Sequence, residues 1–248
     1  MKIKCVKVVT IQVNFLLFWA KVKLKKEQFS FMNEKFFDLK KEKQDRMING
    51  ALEVFGKNGY RHASTDEMVQ KAGISKGLLF HYFGSKLGLY EFAYDYSVRY
   101  ILLELSSAVD DKETDFYKLF LQVTNAYAQA LKTYPYMLQF MDKALTEDVS
   151  EALLAIEEKR GLVEANISQI WARADRNVFL PEVDFKKLYQ LLLLVTKGLA
   201  RQRLESGELQ PDLLLAEIKG YLDMLQTLTV KKAEPVVQSD SAENSLEG

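Results

Sequence analysis

The sequence predicts an all-α fold in which three short amino-terminal helices precede a long one and a larger helical bundle follows. Three observations carry that expectation. From Glu34 onward Pro and Gly are scarce, no stretch alternates apolar and polar residues as a half-buried strand does, and apolar residues return at intervals of three and four. With 248 residues and 48% apolar content the chain has ample material for a folded core.

Residues 1–31 stand apart from this pattern. The apolar run from Val8 to Ala20 (VVTIQVNFLLFWA) is flanked by Lys2, Lys4 and Lys7 on one side and by Lys21, Lys23, Lys25 and Lys26 on the other. It is shorter than the roughly 17–25 apolar residues of a membrane span and holds Thr10, Gln12 and Asn14. Lys-rich sequence follows at once where a secretory signal needs a small-residue cleavage site. Residues 1–31 are therefore read as an atypical extension, with Met32 as an alternative native start; a membrane-anchoring role is the rival reading.

The helices follow in order. Between Lys41 and Asn58, Ile48, Ala51, Leu52 and Phe55 fall at i, i+3, i+4 and i+7, and Gly59 offers the terminating cap. Ser64 opens a second helix, with Glu67 placed to reach back in a capping box, and Gly73 turns the chain after Ala72. Ser75 caps a third through Phe83, and Ser85 caps a fourth through Leu89, Phe92 and Tyr96 toward Val109. Further helices are expected at Asp115 to Tyr134, Tyr136 to Leu145, Val149 to Asp175, Glu182 to Ser206 and Asp212 to Thr229. Pro135, Pro181 and Pro211 mark their boundaries. The polar, aperiodic end of the chain, 231–248, reads as a disordered tail.

Composition narrows the chemistry. Lys plus Arg and Asp plus Glu both number 34, so any contact with an acidic polymer must come from a local patch. The single Cys5 excludes an intramolecular disulfide, and His62 and His81 stand at no ligand spacing, so no metal site is expected and a reducing cytoplasm fits. No carboxylate pair, Cys/His pairing or phosphate-binding glycine loop stands out; the chain is read as a non-enzyme without a cofactor.

The stretch from Ser64 to Lys86, STDEMVQKAGISKGLLFHYFGSK, has the parts of a helix-turn-helix. Met68, Val69 and Ala72 form the packing side of a supporting helix, Gly73 supplies the left-handed turn, and Ile74 plugs the joint. The first turn of the next helix, Ser75, Lys76 and Gly77, offers free N–H groups at a positive dipole end, and Gly77 lets the backbone come close to a duplex. Ala72, Gly73, Ile74 and Ser75 match an A-G-[VI]-S turn, and Gly77, Leu79, Phe80, Tyr82, Phe83 and Lys86 match G-x-[LI]-[YF]-x-[YH]-F, two residues and Lys. At these positions, within Lys41 to about Tyr94, the sequence resembles the TetR-type (TetR/AcrR) transcriptional regulator family.

The resemblance implies a double-stranded operator DNA partner read by a homodimer. Ser64 and Thr65 would hold phosphate, Lys76 and Leu78 would face base edges, His81 and Tyr82 would meet the DNA backbone, and Lys86 would hold a further phosphate. Phe80 joins this contact set although an aromatic at its spacing also serves a core. The family further implies a ligand cavity in the larger domain, with a small-molecule effector releasing a repressor. Tyr127, Phe140, Trp171 and Tyr189 are the candidate liners, and Asn125, Asn166 and Gln169 the polar residues that could orient a ligand.

The apolar richness of 188–199 and 213–228 points to a four-helix dimer interface through Leu192, Val195, Leu199, Leu214, Ile218, Tyr221 and Leu225. The organisation read from the sequence is thus an extension (1–31), a helix-turn-helix domain (32–95), an effector-binding and dimerisation domain (96–230) and a tail (231–248).

Overall fold

A computed structural model describes residues 34–231, so the extension and, apart from Lys231, the tail lie outside the described residues. Eleven α-helices occur among the described residues: α1 (Glu34–Phe37), α2 (Lys41–His62), α3 (Thr65–Ala72), α4 (Lys76–Phe83), α5 (Lys86–Ala108), α6 (Phe116–Thr133), α7 (Met137–Leu145), α8 (Ser150–Ile156), α9 (Leu162–Ala172), α10 (Phe185–Glu205) and α11 (Pro211–Thr229). The all-α expectation holds; among the described residues the β pairing is one isolated antiparallel bridge between Phe179 and Val230.

Local chemistry sets the helix starts. Ser64, Ser75 and Ser85 each accept a hydrogen bond from the backbone N–H three residues on, satisfying a donor that the first helical turn leaves open. Asp115 and Asp184 do the same for α6 and α10. Pro211 begins α11, where its missing N–H costs nothing.

Two expectations about helix continuity change. Gly59 leaves the helical region (φ 68), but α2 resumes beyond it to His62. The segment from Val149 to Asp175, expected as one helix, is instead α8 and α9, joined by a 3-10 turn at Glu157–Lys159 and by Gly161 at φ 82. Apolar residues keep a helical period across that joint, so periodicity alone does not register the break.

The core is continuous from the amino-terminal helices into the bundle. Phe36 of α1 is buried among Phe83, Phe92 and Tyr82, with ring centroids at 5.3, 5.0 and 5.9 Å. Phe55 of α2 meets Tyr90 of α5 at 5.0 Å, and Phe140 of α7 meets both, at 5.9 and 5.4 Å. Edge-to-face and tilted pairs of this kind add to the apolar area already buried. Helix α5 runs unbroken through residue 95, so the joint between the expected domains lies inside a single helix.

Helices α2 and α7 come so close that a Cβ on Gly56 would stand 3.2 Å from the Phe140 backbone nitrogen. Polar bonds flank the contact. The Tyr60 N–H donates to Glu147 (2.7 Å), the Tyr60 hydroxyl to Glu151 (2.7 Å), and the Asn49 amide to the Thr133 carbonyl (3.0 Å). At the other end of α2, Asp45 accepts from Lys41 (2.6 Å) and from the buried Tyr134 hydroxyl, which also meets the Tyr96 hydroxyl at 2.7 Å.

A branched side chain at Gly56 has no room to enter this contact. Gly56→Val is expected to lose about 1–3 kcal/mol of stability by overpacking, measured as a lower urea midpoint at unchanged slope.

Candidate nucleic-acid interface and interhelical cavity

Helix α4 is short and gains its rigidity from behind. Leu79, Tyr82 and Phe83 are buried on its inner side, while Ser75, Lys76, Gly77 and His81 are exposed and Leu78 and Phe80 half-buried. Gly73 takes the left-handed conformation (φ 64) that turns the chain between α3 and α4, a region glycine enters without a Cβ penalty. Ile74 is half-buried at the joint.

The leading end of α4 is open. Ser75 Oγ takes the Leu78 N–H, whereas the Lys76 and Gly77 N–H groups have no acceptor among the described residues. A Cβ on Gly77 would meet nothing within 4 Å, so a flat surface can approach the backbone there. Unpaired N–H groups at a helix start form a site for an anion or a polar edge.

The basic side chains are held in defined places. Lys76 pairs with Asp66 in the first turn of α3 at 2.9 Å; both are exposed, so the pair is weak and exchangeable. Lys86 donates to the Arg61 carbonyl (3.2 Å) and lies 4.8 Å from the Tyr60 ring centroid, and burial holds its ammonium below the ordinary lysine value. Arg61 stands three residues before Ser64, the exposed cap of α3, and Thr65 beside it is half-buried. Tyr82 departs from a simple surface contact, because its ring is packed against Phe36 and the residue is only 9% exposed. Phe36 was not singled out in the sequence; the Phe36-Phe37 pair just ahead of the first long periodic segment was the available signal.

A cavity of 770 Å³ lies in the body between α10 and the wall made by α6, α7 and α9. Tyr127, Trp171 and Tyr189 line it as expected positions, joined by Phe120, Met141, Leu193 and Thr196. Trp171 stacks on Phe120 at 5.7 Å and meets Tyr189 edge-on at 5.3 Å. Burial raises the Tyr127 hydroxyl above the ordinary tyrosine value. Phe140 is not a liner: it is fully buried against Phe55, Tyr90 and Tyr94, on the side of α7 that faces α2. Asn125, Asn166 and Gln169 also fall outside the lining, and Asn125 accepts a hydrogen bond from Gln129 on its own helix (3.1 Å).

The expected interface residues divide. Leu192, Leu214 and Ile218 are 1%, 5% and 1% exposed within a single chain, so they fasten α10 and α11 to the body and do not face a second copy. Val195, Leu199 and Leu225 are half-buried, and Tyr221 is exposed. The outward apolar face comprises Leu191 and Leu194 on α10 with Leu213, Tyr221, Met224 and Leu228 on α11. Positions 213, 221, 224 and 228 share one side of α11 by helical spacing.

Residues 47–92 match the family model described as bacterial regulatory proteins, tetR family. The HTH-type transcriptional activator FasR of Mycolicibacterium smegmatis is 43% identical over 49 residues, which are 20% of this chain and 22% of that protein. An uncharacterized HTH-type transcriptional regulator of Pseudomonas putida, TtgW, is 40% identical over 47 residues, 19% of this chain and 35% of the relative. The matched region thus spans about a fifth and a third of these relatives. Among solved structures, a TetR family transcriptional regulator from Chloroflexus aurantiacus aligns with TM-score 0.52 at 23% identity over 81% of this chain and 99% of that one. A candidate fatty acid metabolism regulator from Clostridium perfringens aligns with TM-score 0.53 at 18% identity over 71% and 96%. At these identities the structural likeness bears on the fold.

The Ser75 cap sets where α4 begins. Ser75→Ala is expected to cost about 1 kcal/mol in denaturant unfolding and Ser75→Asp to retain most of it, since aspartate accepts the same N–H.

Proposed function

From an amino-terminal region that belongs to the tetR family of bacterial regulatory proteins, we propose that this chain is a sequence-specific DNA-binding transcription regulator, acting as a homodimer on operator DNA in the cytoplasm. One observation carries the reading: the open leading end of α4, with exposed Lys76, unpaired N–H groups and free space in front of Gly77, is braced from behind by buried Leu79, Tyr82 and Phe83. That combination suits insertion into a major groove, where a rigid helix presents its first residues to base edges. In this reading the region up to residue 95 is the DNA-binding domain and 96–230 the effector and dimerisation domain.

Within the site, Lys76 and Leu78 read bases, Lys76 exchanging Asp66 for its target. The short, half-buried Leu78 suits a thymine methyl. Ser64, Thr65 and Lys86 hold phosphates, and His81 and Tyr82 meet the backbone. The regulator works as a repressor released by a small-molecule effector in the 770 Å³ cavity, because a dimer bound across a promoter blocks it without touching polymerase. The competing sign, activation, is favoured by the name of one relative, an activator similar over 49 residues. A promoter–reporter fusion in a deletion strain separates the two by whether expression rises or falls.

The exposed apolar residues of α10 and α11 supply the dimer contact. Two recognition helices then face successive half-sites, roughly 34 Å apart on the duplex. Met224→Glu combined with Leu228→Glu is expected to give a monomer by light scattering and to lose operator binding, with the helical spectrum unchanged. A variant that remains dimeric at micromolar concentration argues against this face.

Base and phosphate contacts differ in signature. Lys86→Gln is expected to weaken binding to every operator and to lower the salt slope by about 1, whereas Lys76→Ala shifts the preferred sequence. Gel shifts on operators selected from random DNA, repeated across salt concentrations, decide it; unchanged binding in both variants removes the proposed site.

A further inference from the structure

We propose that the cavity of the body takes a long-chain amphiphile with an anionic head, its tail against Phe120, Trp171 and Tyr189 and its head at Lys197. This deepens the regulator reading above and rests on it for the cavity's role as an effector site. The ligand class itself is argued from the walls.

Shape excludes a compact polar metabolite. Helix α10 lines the cavity from Tyr189 to Glu205, which at 1.5 Å per residue is about 24 Å of wall. Only Leu188 and Leu192 of α10 are buried, so beyond them the helix stands over a space that its own protein does not fill. Leu193, Ala200 and Leu204 on α10 look across to Leu138 and Met141 of α7 and Ile167 of α9, which also line that space. An apolar trough this long is filled most favourably by an extended hydrocarbon, whose transfer from water supplies the binding energy.

Polarity is graded along the trough. At the inner end, Phe120, Val123, Val163 and Trp171 are buried and offer a single polar atom, the indole nitrogen of Trp171. Charged liners gather where α7 and the second half of α10 are exposed, with Asp142, Lys143, Lys197, Arg201 and Glu205 all at the surface. Among the liners, the buried Thr196 Oγ1, Gln139 Oε1 and Trp171 Nε1 have no hydrogen-bond partner. Buried groups left in that state are unfavourable; an anionic head accepts from the Thr196 hydroxyl, whereas Gln139 Oε1, itself an acceptor, needs a donor such as a water carried in with the head.

The sign of the head follows from the rim. Lys57, Lys143, Lys197 and Arg201 outnumber Asp142, Glu164 and Glu205 among the liners. The bond that crosses the opening is Lys197 to Asp142 at 3.0 Å, with both side chains more than half exposed. Such a pair contributes little in water, so a carboxylate or phosphate can take Asp142's place on Lys197. Glu164 lies on α9, a different wall from Lys197 of α10, and is where a cationic head would go instead.

Trp171 provides the readout, because the only other tryptophan is Trp19. In full-length protein carrying Trp19→Phe, palmitate and palmitoyl-coenzyme A are titrated against Trp171 emission, with hexanoate for chain length and hexadecyltrimethylammonium for charge. Saturable micromolar binding is expected for the long anionic chains, with hexanoate and the cation far weaker. Binding of palmitate alone identifies the free acid as the source, and binding of the thioester alone identifies the coenzyme A ester. Lys197→Glu is expected to weaken it about tenfold, and Thr196→Phe, which fills the trough, to abolish it while the circular dichroism is retained.

Three results overturn the proposal: no saturable response to either long anionic chain, equal or tighter binding of the cation, or affinity independent of chain length in the unsubstituted cavity. The last holds even if Thr196→Phe fails to fold. Operator gel shifts on the same ligand-free preparation separate the two readings. Ligand binding without operator binding sinks the regulator and leaves the ligand class, and the converse sinks the ligand class alone.

Discussion

The contact between α2 and α7 at Gly56 and Phe140 is the constraint on which the rest of the molecule depends. At this crossing even a Cβ would stand 3.2 Å from the Phe140 backbone nitrogen, so a side chain there forces the helices to shift, and closely packed interfaces of this kind do not deform gradually. The three helices that carry the candidate DNA surface are therefore an extension of the body. Aromatic rings on both sides of the crossing, Phe55, Tyr90 and Phe140, keep water out of it. The polar bonds of Tyr60, Asn49 and Asp45 then fix its rotation, since a small turn of α2 breaks several at once.

What could be read from the sequence was whatever local chemistry decides. The serine caps at Ser64, Ser75 and Ser85 and the proline at 211 announce helix starts because each acts within three or four residues of itself. The turn at Gly73 is legible for the same reason. Gly161 was not, because a glycine inside an apolar pattern signals either a tolerated helix residue or a break, and only its positive φ distinguishes them. The role of Phe36 was hidden because α1 is a single turn, too short to show a period.

The candidate sites separate along the same line. Tyr127, Trp171 and Tyr189 stand on the cavity because large residues on inward faces end up near any interior space. Phe140 satisfies the same pattern and faces the opposite way, and which side of α7 looks toward α2 is a tertiary fact. Helix α11 shows the difficulty most clearly. Leu213, Leu214, Leu215, Ile218, Tyr221, Leu222, Leu225 and Leu228 cover more than one face, so hydrophobicity marks the helix as doubly covered without saying which face is turned inward. Burial of Leu214, Ile218 and Leu222 settles the inner face, and Leu213, Met224 and Leu228 are left outside.

Helix α7 connects the two ends of the molecule physically. One side, with Leu138, Met141 and Asp142, lines the cavity, and the other, with Phe140, is pressed against Gly56 of α2. A molecule that enters the cavity displaces α7, pushes on α10, whose buried residues are Leu188 and Leu192, or fills the existing space and moves neither. The first route reaches α2 through the crossing, and Gly56 and Lys57 of α2 also stand on the lining itself, so both lead from the cavity toward the helices that carry α4. A ligand coupled through either shifts the DNA-binding equilibrium by no more than its difference in affinity between the two postures, about 1.4 kcal/mol for each tenfold change. The short, rigid α2–α7 crossing keeps such a difference from being absorbed by loose packing on the way, which a pair of helices separated by flexible side chains would not do.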